Sequence, residues 1–371
     1  MSEEVVIIGN SFSGLGTAIA CAKHGYQVTV IAPNNHSSFI GGLQIAPNGL
    51  AALSSLGVEQ EILNKAVRLL AVHIKAFDTA VSLTNIPLSS NNAPYVSIAR
   101  QNLCEILLNK CLTNSLINFM DARVLAITSK NNHTRLALDT GEIIIAPIII
   151  GADGWDGKTR HFVSPSARQK NSGYSIYRGI FPASKVPAGF SYPDVQLWLG
   201  NSCHLVSYPI QNSQAVNFVF AFSERAFESH SIDAIFCNHP VLSMLGEYIQ
   251  NWHLTPIKQF DSLSNWRRGG ITLIGDAAHP MPPHLAQGAG QSFMDVASIE
   301  NGLGTGLTLS NAISNMITTR MPEAHSVVKK SQLSGNIFRL NSPIAGLRNQ
   351  LISMAGQKVI SDFLQDLWLT A

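Results

Sequence analysis

The sequence predicts an α/β chain in which a domain built on a parallel sheet is interrupted by a second domain built on an antiparallel sheet. Three observations point there. Residues 5–8 form a short apolar run, a Gly/Ser turn follows, residues 15–24 have helical character and residues 27–32 read as a second strand. Strand, helix and strand within about thirty residues make a βαβ unit, which implies a parallel pair and a crevice at its carboxyl ends. Between 172 and 224 the pattern changes to short alternating strands with turn residues between them. Strand character of the first kind returns at 270–274, so distant chain completes the first domain.

In chain order, residues 47–70 read as helix with Asn48 placed to start it, and 100–111 as another helix. Residues 123–150 read as strands, with Asp139-Thr140-Gly141 as a turn and 143–150 as one buried strand returning to the first sheet. The antiparallel strands are 173–183, 195–200, 204–210 and 215–223. In the last, Val216, Phe218, Phe220 and Phe222 alternate with Asn217, Val219 and Ala221, so one face carries an aromatic stripe expected to pack on its own core. The chain from 291 onward is mainly helical. The first domain is therefore expected to comprise 1–70, 97–165 and 268–330, the second 71–96 and 166–267, with carboxyl-terminal helices over 331–371.

Composition narrows the function. Of 371 residues 46% are hydrophobic and 13% charged, against roughly 25% charged in soluble domains, which excludes a disordered chain. A net charge of +2 without a basic stripe carries no footprint for nucleic acid. The longest apolar run, between Glu142 and Asp153, contains Pro147 and is about half the ~20 residues a spanning helix needs, so no transmembrane segment is expected. Glu3 and Glu4 stand where a secretory signal carries positive charge. Five cysteines (Cys21, Cys104, Cys111, Cys203 and Cys237) are odd in number and lack Cys-x-x-Cys spacing, so neither disulfides nor a metal site is expected, and a reducing cytoplasm fits.

Gly9-Asn10-Ser11-Phe12-Ser13-Gly14 lies between the first strand and helix, where a dinucleotide pyrophosphate meets a helix amino terminus. Ser11 stands in place of the middle glycine. The acidic residue expected at the end of the second strand is missing, because no Asp or Glu occurs between Glu4 and Glu59 and the position is Ala32 or Pro33. Asn34 or Asn35 would bond ribose hydroxyls as neutral partners. Two decoys are set aside. Gly157-Lys158-Thr159 resembles the end of a phosphate loop, but the loop's first glycine would fall at Ala152, and Asp153 and Asp156 would repel phosphate. Gly302-Leu303-Gly304-Thr305-Gly306 follows a helix, so it reads as a loop between helices. The strongest feature is Gly275-Asp276-Ala277-Ala278-His279-Pro280, continuing to Gln287-Gly288-Ala289-Gly290-Gln291. A strand delivers Asp276 as an acceptor for ribityl hydroxyls, and a helix start offers free N–H groups that suit an anionic reduced flavin.

At these residues the chain resembles the single-component FAD-dependent aromatic hydroxylases, in the salicylate hydroxylase-like branch of the p-hydroxybenzoate hydroxylase superfamily. The resemblance runs through Gly9–Gly14, 151–160 and 275–283, and further through 41–48, Arg100, Tyr177-Arg178-Gly179, 204–209 and Arg320-Met321-Pro322. It implies a Rossmann-like FAD-binding domain, FAD as cofactor, NAD(P)H as visiting co-substrate, and O₂ as oxidant. It further implies a flavin C4a-hydroperoxide that hydroxylates a small aromatic or heteroaromatic substrate, in a monomer or homodimer. By the same resemblance Gly9, Ser11, Phe12, Ser13, Gly14, Asn34, Arg100, Val124, Asp153, Gly275, Asp276, Gly288, Ala289 and Gly290 serve the cofactor, and Pro283 shapes the reacting pocket. Tyr208, Arg178, His204 and His284 are the polar candidates toward substrate, and a base near pH 7 would be a histidine. Competing readings are a relative that has lost FAD or binds it weakly, another flavin oxidoreductase on the same fold, and a halogenase, which the absence of a Trp-x-Trp pair disfavours.

Overall fold

The computed structural model describes every residue except 1–3, 34–40, 89–93, 131–132, 191, 228–235, 238, 240, 247–251 and 369–371. Six strands form the first sheet, in the spatial order Arg267–Arg268, Ile271–Leu273, Ile149–Gly151, Glu4–Ile8, Gln27–Ile31 and Ile117–Met120. All neighbours are parallel except the short edge strand Arg267–Arg268. Val5, Ile7, Val30, Ile149, Ile150 and Leu273 are fully buried, as strands covered on both faces require. The chain leaves Glu4–Ile8 toward Gln27–Ile31 on one side and returns as Ile149–Gly151 on the other. The carboxyl end of the first strand is therefore the switch point of the sheet, where such folds open a crevice.

A seven-stranded sheet has the order His253–Phe260, Gln169–Pro182, Ala215–Ser223, Cys203–Ile210, Val195–Leu199, Ala71–Ala76 and Ser82–Pro87. Every pair is antiparallel except Val195–Leu199 with Ala71–Ala76. The register sets His204 beside Ala221 and Ile176, Val206 beside Val219 and Arg178, and Tyr208 beside Asn217. Alternation of side chains puts all of these on one face. The other face carries Leu205, Phe218, Phe220, Phe222, Phe181 and Trp198, which form one apolar core with Phe236 and Trp252. The aromatic stripe is a packed core, as expected. Two three-stranded sheets complete the strands, one of Gly42–Ile45, Tyr95–Ala99 and Val67–Leu69, the other of Ile143–Ala146, His133–Leu138 and Val124–Lys130. The helices Gly288–Gly304, Leu309–Phe338 and Ile344–Trp368 end the chain.

Local differences from the expected elements have physical causes. The expected helix over 47–70 is two helices, Pro47–Ser55 and Glu59–Lys65, followed by strand Val67–Leu69. Gly57 at φ +69° breaks it. Asn48 does not cap that helix; Ala46 holds the cap position, and Asn48 donates from its side chain to the Leu367 carbonyl at 3.0 Å. The single strand expected over 143–150 is divided at Pro147, which lacks a ladder donor. Ile143–Ala146 pairs with His133–Leu138, leaving Ile143 and Ile145 exposed, and only Ile149–Gly151 joins the first sheet. All five cysteines are free thiols. Among the described residues no helix is long and apolar enough to cross a membrane, and no group of His, Cys, Asp or Glu is placed to hold a metal ion.

Candidate functional site

The first turn shows why two of its glycines are needed. Gly9 has φ +103°, and a Cβ there would overlap the Ala152 carbonyl; a Cβ on Gly14 would overlap the Gly9 carbonyl. Ser11, in the middle position, has φ −66° and caps the helix Phe12–Lys23, accepting from the Gly14 N–H at 3.3 Å. Its hydroxyl donates to the Ala152 carbonyl at 2.8 Å. The serine side chain is thus taken up within the turn, and the helix start keeps its orphan N–H groups. Phe12 packs on Phe293 with ring centres 6.2 Å apart, and Ser13 is buried. Ala32 is buried at the end of the second strand, its N–H donating to the Met120 carbonyl at 3.1 Å. Asn34 lies outside the described residues.

Asp153 is engaged locally. It accepts from the Thr159 N–H at 3.0 Å and from the Thr159 hydroxyl, and a Cβ on Gly157 would collide with its carboxyl group. Burial raises its pKa while these hydrogen bonds oppose the rise. The carboxylate that argued against a phosphate loop is what ties the turn to the helix Lys158–Val163. Val124 begins the strand Val124–Lys130 and is 9% exposed.

At the end of Ile271–Leu273, Gly275 adopts φ +57° and packs so closely on Ser13 that a Cβ would meet its Oγ. Asp276 follows, exposed, with its side chain accepting no hydrogen bond from the described residues. Protein walls most of the carboxyl group, which raises its pKa, against the pull of His279 and Arg100. The loop is fixed from behind by Asp295 on the Gly288–Gly304 helix. Asp295 accepts from the Gly275 N–H at 3.0 Å, from His279 Nε2 at 2.6 Å and from Arg320 Nε at 3.2 Å. Burial pushes the Asp295 pKa up, but His279, Arg320 and the Gly275 N–H hold it below the ordinary value. Arg320 also donates to Gln291 at 2.5 Å, and Gln291 to Gln287 at 3.2 Å. One network therefore links the Asp276 loop to the start of the Gly288–Gly304 helix. Sequence reasoning missed Asp295; the signal available was an acid inside a helix made mostly of small and apolar residues, with a distant arginine to neutralise it.

Gly288 and Gly290 are not demanded by protein packing. A Cβ on Gly288 would meet nothing nearer than Met281 Cγ at 3.7 Å, and one on Gly290 nothing nearer than Gln287 Oε1 at 3.8 Å. Their missing side chains leave room in front of Ala289 and the helix start. Pro283 lies exposed in a tight turn, Pro283–Leu285, that ends on Ala286 at φ +53°.

Opposite stands the polar face of the seven-stranded sheet. Asn217 Oδ1 accepts from the Gly42 N–H at 2.8 Å, and a Cβ on Gly42 would run into the Tyr208 ring, so this glycine lets the two sheets meet. Asn217 and Gly42 were not singled out in the sequence; only the register reveals them. Tyr208 is 5% exposed, and burial pushes its pKa up to about 12 against the pull of Arg100 and Arg178. Arg178 is half-buried, and burial and the neighbouring Arg100 lower its pKa. No ion pair or hydrogen bond joins either arginine's side chain to a described residue. His204 is buried beside His284, ring centres 5.3 Å apart. Burial lowers both, His284 to about 3, with Arg339 adding to the effect. Charging either imidazole there means desolvating it beside a guanidinium, which favours the neutral ring.

The structure therefore gathers Gly9 to Gly14, Gly275 and Asp276 around the switch point, with Gly288 to Gly290 on the adjoining helix. Arg100 feels Asp276 on one side and Arg178 and Tyr208 on the other, while His204 lies further along the sheet with His284 beside it. A carboxylate with no hydrogen-bond partner among the described residues, a glycine-cleared helix start and a phosphate-type turn fit a long dinucleotide carrying ribityl hydroxyls and a ring system. The description "FAD binding domain" is that of the family model matching residues 2–331, so the chain belongs to that family and FAD is its cofactor. It is 26% identical to 3-hydroxybenzoate 6-hydroxylase 1 of Aquipseudomonas alcaligenes over 98% of this chain and 96% of that one. Its fold matches that of Klebsiella pneumoniae HpxO complexed with FAD and uric acid, with TM-score 0.88, 17% identity and coverage of 99% and 97%. It also matches a salicylate hydroxylase substrate complex, with TM-score 0.83, 19% identity and coverage of 100% and 96%. The expected class, a FAD-dependent hydroxylase on an α/β fold, is borne out.

Proposed function

We propose that the chain uses NAD(P)H and O₂ to hydroxylate a small aromatic or heteroaromatic substrate held between the FAD site and the polar face of the seven-stranded sheet. The observation that carries this reading is Asp276, an exposed carboxylate with no donor among the described residues, linked through Arg100 to Arg178 and Tyr208, whose side chains have no ion-pair partner among the described residues. Bound FAD would supply hydride acceptance and oxygen activation. The chain supplies the rest. Asp276 accepts from ribityl hydroxyls, the N–H groups of Ser11 to Ser13 face the pyrophosphate, and those of Gly288 to Gly290 donate toward the ring's carbonyl edge. Arg100 neutralises charge between the two units, the Val124 backbone borders the adenine, and Asp153 keeps its turn in place. Tyr208 remains a phenol at neutral pH and so donates to a substrate oxygen. Neutral His204 and His284 orient a polar substituent, Arg178 balances negative charge near Tyr208, and Pro283 walls the pocket from water. Residues 1–70, 97–165 and 268–330 act as the cofactor unit, 71–96 and 166–267 as the substrate unit, and 331–371 as helices closing over both, in a cytoplasmic monomer or homodimer.

The test is a flavin spectrum of the purified protein, followed by NADH and NADPH oxidation across aromatic acids, phenols and N-heterocycles. One ¹⁸O atom from labelled O₂ should appear in the product by mass. Protein without bound flavin after incubation with FAD sinks the reading entirely. Oxidation that yields only hydrogen peroxide across the panel sinks the hydroxylase part.

A further inference from the structure

Arg339, directly after the Leu309–Phe338 helix, is 7% exposed, and its Nε and Nη1 are buried without a hydrogen-bond partner. Its guanidinium lies over the Tyr174 ring, 3.7 Å from the centre. Buried charge without an acceptor is among the costliest arrangements a fold can keep. The position is nonetheless held firmly, because Arg348 Nη1 clamps the helix end by donating to the Phe338 carbonyl at 2.6 Å and the Gly200 carbonyl at 3.2 Å. Beside it stand His204 and His284, whose Nδ1 atoms are also buried and bare. Phe338 closes on the His204 ring at 5.4 Å, and the His284 ring is wedged against Gly335, where a Cβ would collide. Three polar groups from the sheet, the Pro283–Leu285 turn and the helix end thus converge with unused hydrogen-bonding capacity and a net positive charge. Arg100 differs, since it already feels the Asp276 carboxylate; the charge that acts on Arg339 is that of Tyr174, a phenol.

We propose that Arg339 is the residue that recognises the carboxylate of an anionic aromatic substrate, with His204 and His284 as neutral hydrogen-bonding partners beside it. Four strand steps separate His204 from Tyr208, about 13 Å between their Cα atoms. An aromatic acid would therefore point its carboxylate toward the carboxyl-terminal helices and its ring toward Tyr208 and the cofactor. The inference rests on the proposed function, whose failure would show separately as missing flavin or missing oxygen transfer.

The experiment uses FAD-loaded wild type, Arg339→Met and Arg339→Lys. Benzoate, salicylate and nicotinate, each against its own amide, are titrated by perturbation of the flavin absorption, and the Tm of each loaded protein is taken without ligand. In wild type at least one acid should bind tenfold or more tightly than its amide. Arg339→Met should lose that preference while binding the amide within about threefold of wild type, and Arg339→Lys should keep part of it. The Tm of Arg339→Met should stay close to that of wild type, because removing a buried charge without an acceptor offsets the lost contact with the Tyr174 ring. A merely structural arginine predicts the reverse, a lowered Tm with acid preference intact, and that result overturns the proposal. So does a wild type that prefers no acid over its amide. Should Arg339→Met fail to fold, undiminished acid preference in Arg339→Lys together with a lowered Tm overturns it equally.

Discussion

The two faces of the seven-stranded sheet are made from the same strands by the same two-residue period, yet they serve opposite ends. Phe218 and Asn217 are neighbours, 0% and 1% exposed. Phe218 sits edge-on to Phe181 with ring centres 5.4 Å apart, and Phe220 likewise to Phe236 at 5.0 Å. That face is filled by the protein's own rings, although Trp198 Nε1, Ser207 Oγ and Trp252 Nε1 on it are buried without a hydrogen-bond partner among the described residues. The other face presents the half-buried Arg178, with Asn217 Nδ2 and His204 Nδ1 buried without a hydrogen-bond partner among the described residues, and it is the face that the proposed function assigns to substrate. Equal burial therefore does not mean equal contribution to stability. Ring packing on one face lowers the free energy of the fold, whereas bare polar groups raise it unless a ligand satisfies them.

Substitutions should separate the faces. Phe218→Ala should lower unfolding free energy by about 3–5 kcal/mol through cavity formation. Tyr208→Phe, one strand away, should cost under about 1.5 kcal/mol while markedly slowing hydroxylation. Urea unfolding and turnover rates measured together check both, and equal destabilisation by the two would erase the contrast. Asp276→Ala should leave the apoprotein folded but weaken FAD by about 1–3 kcal/mol, so that flavin separates on gel filtration. Retention of all flavin would remove Asp276 from the cofactor site.

A third expectation concerns pH. His284 titrates near 6.5 when unfolded and near about 3 in the fold, so the unfolded chain binds the extra proton between those values. Its contribution to stability is complete above pH 6.5 and is lost as pH falls through that window, by up to about 1.4 kcal/mol per pH unit. Tm measured from pH 7 to pH 4 should fall less steeply in His284→Asn than in wild type. Parallel curves would place His284 in a wetter setting than the polar face provides. The smallest effect is expected from Ser11→Gly. The hydroxyl is spent on the Ala152 carbonyl and the helix cap, so restoring the fingerprint glycine should cost a few tenths of a kcal/mol of stability. FAD affinity should stay within about threefold, as isothermal titration would show.

What could be read in the sequence is what depends on nearest neighbours along the chain. Gly9 and Gly14 announce their turn because no other residue fits their conformation or contact, and the Phe218–Phe222 stripe announces its core through alternation. Ser11 was legible as a departure but not as a harmless one, because its partner Ala152 is brought near only by the parallel pairing of Ile8 with Gly151. The missing acid at Ala32 was likewise visible, and the structure puts nothing charged in its place among the described residues around it. Asn217, Asp295 and Arg339 were hidden for a shared reason. Each acquires meaning from an element more than fifteen residues away; alternation placed Asn217 opposite the aromatic stripe but could not name its partner Gly42. The split strand at Pro147 was within reach, since a proline inside an apolar run is itself a boundary signal.

The pairing of Ile149–Gly151 with Ile271–Leu273 also bears on how the chain comes off the ribosome. Until residue 273 has emerged, the first sheet ends on an open parallel edge of fully apolar residues, next to a finished antiparallel sheet inserted in the meantime. The helix that covers that sheet, Gly288–Gly304, is made later still. Parallel pairing over such a span is slow, and an unpaired apolar edge invites pairing with other chains. Yield during expression should therefore depend on temperature and chaperone supply far more than the stability of the finished protein would suggest.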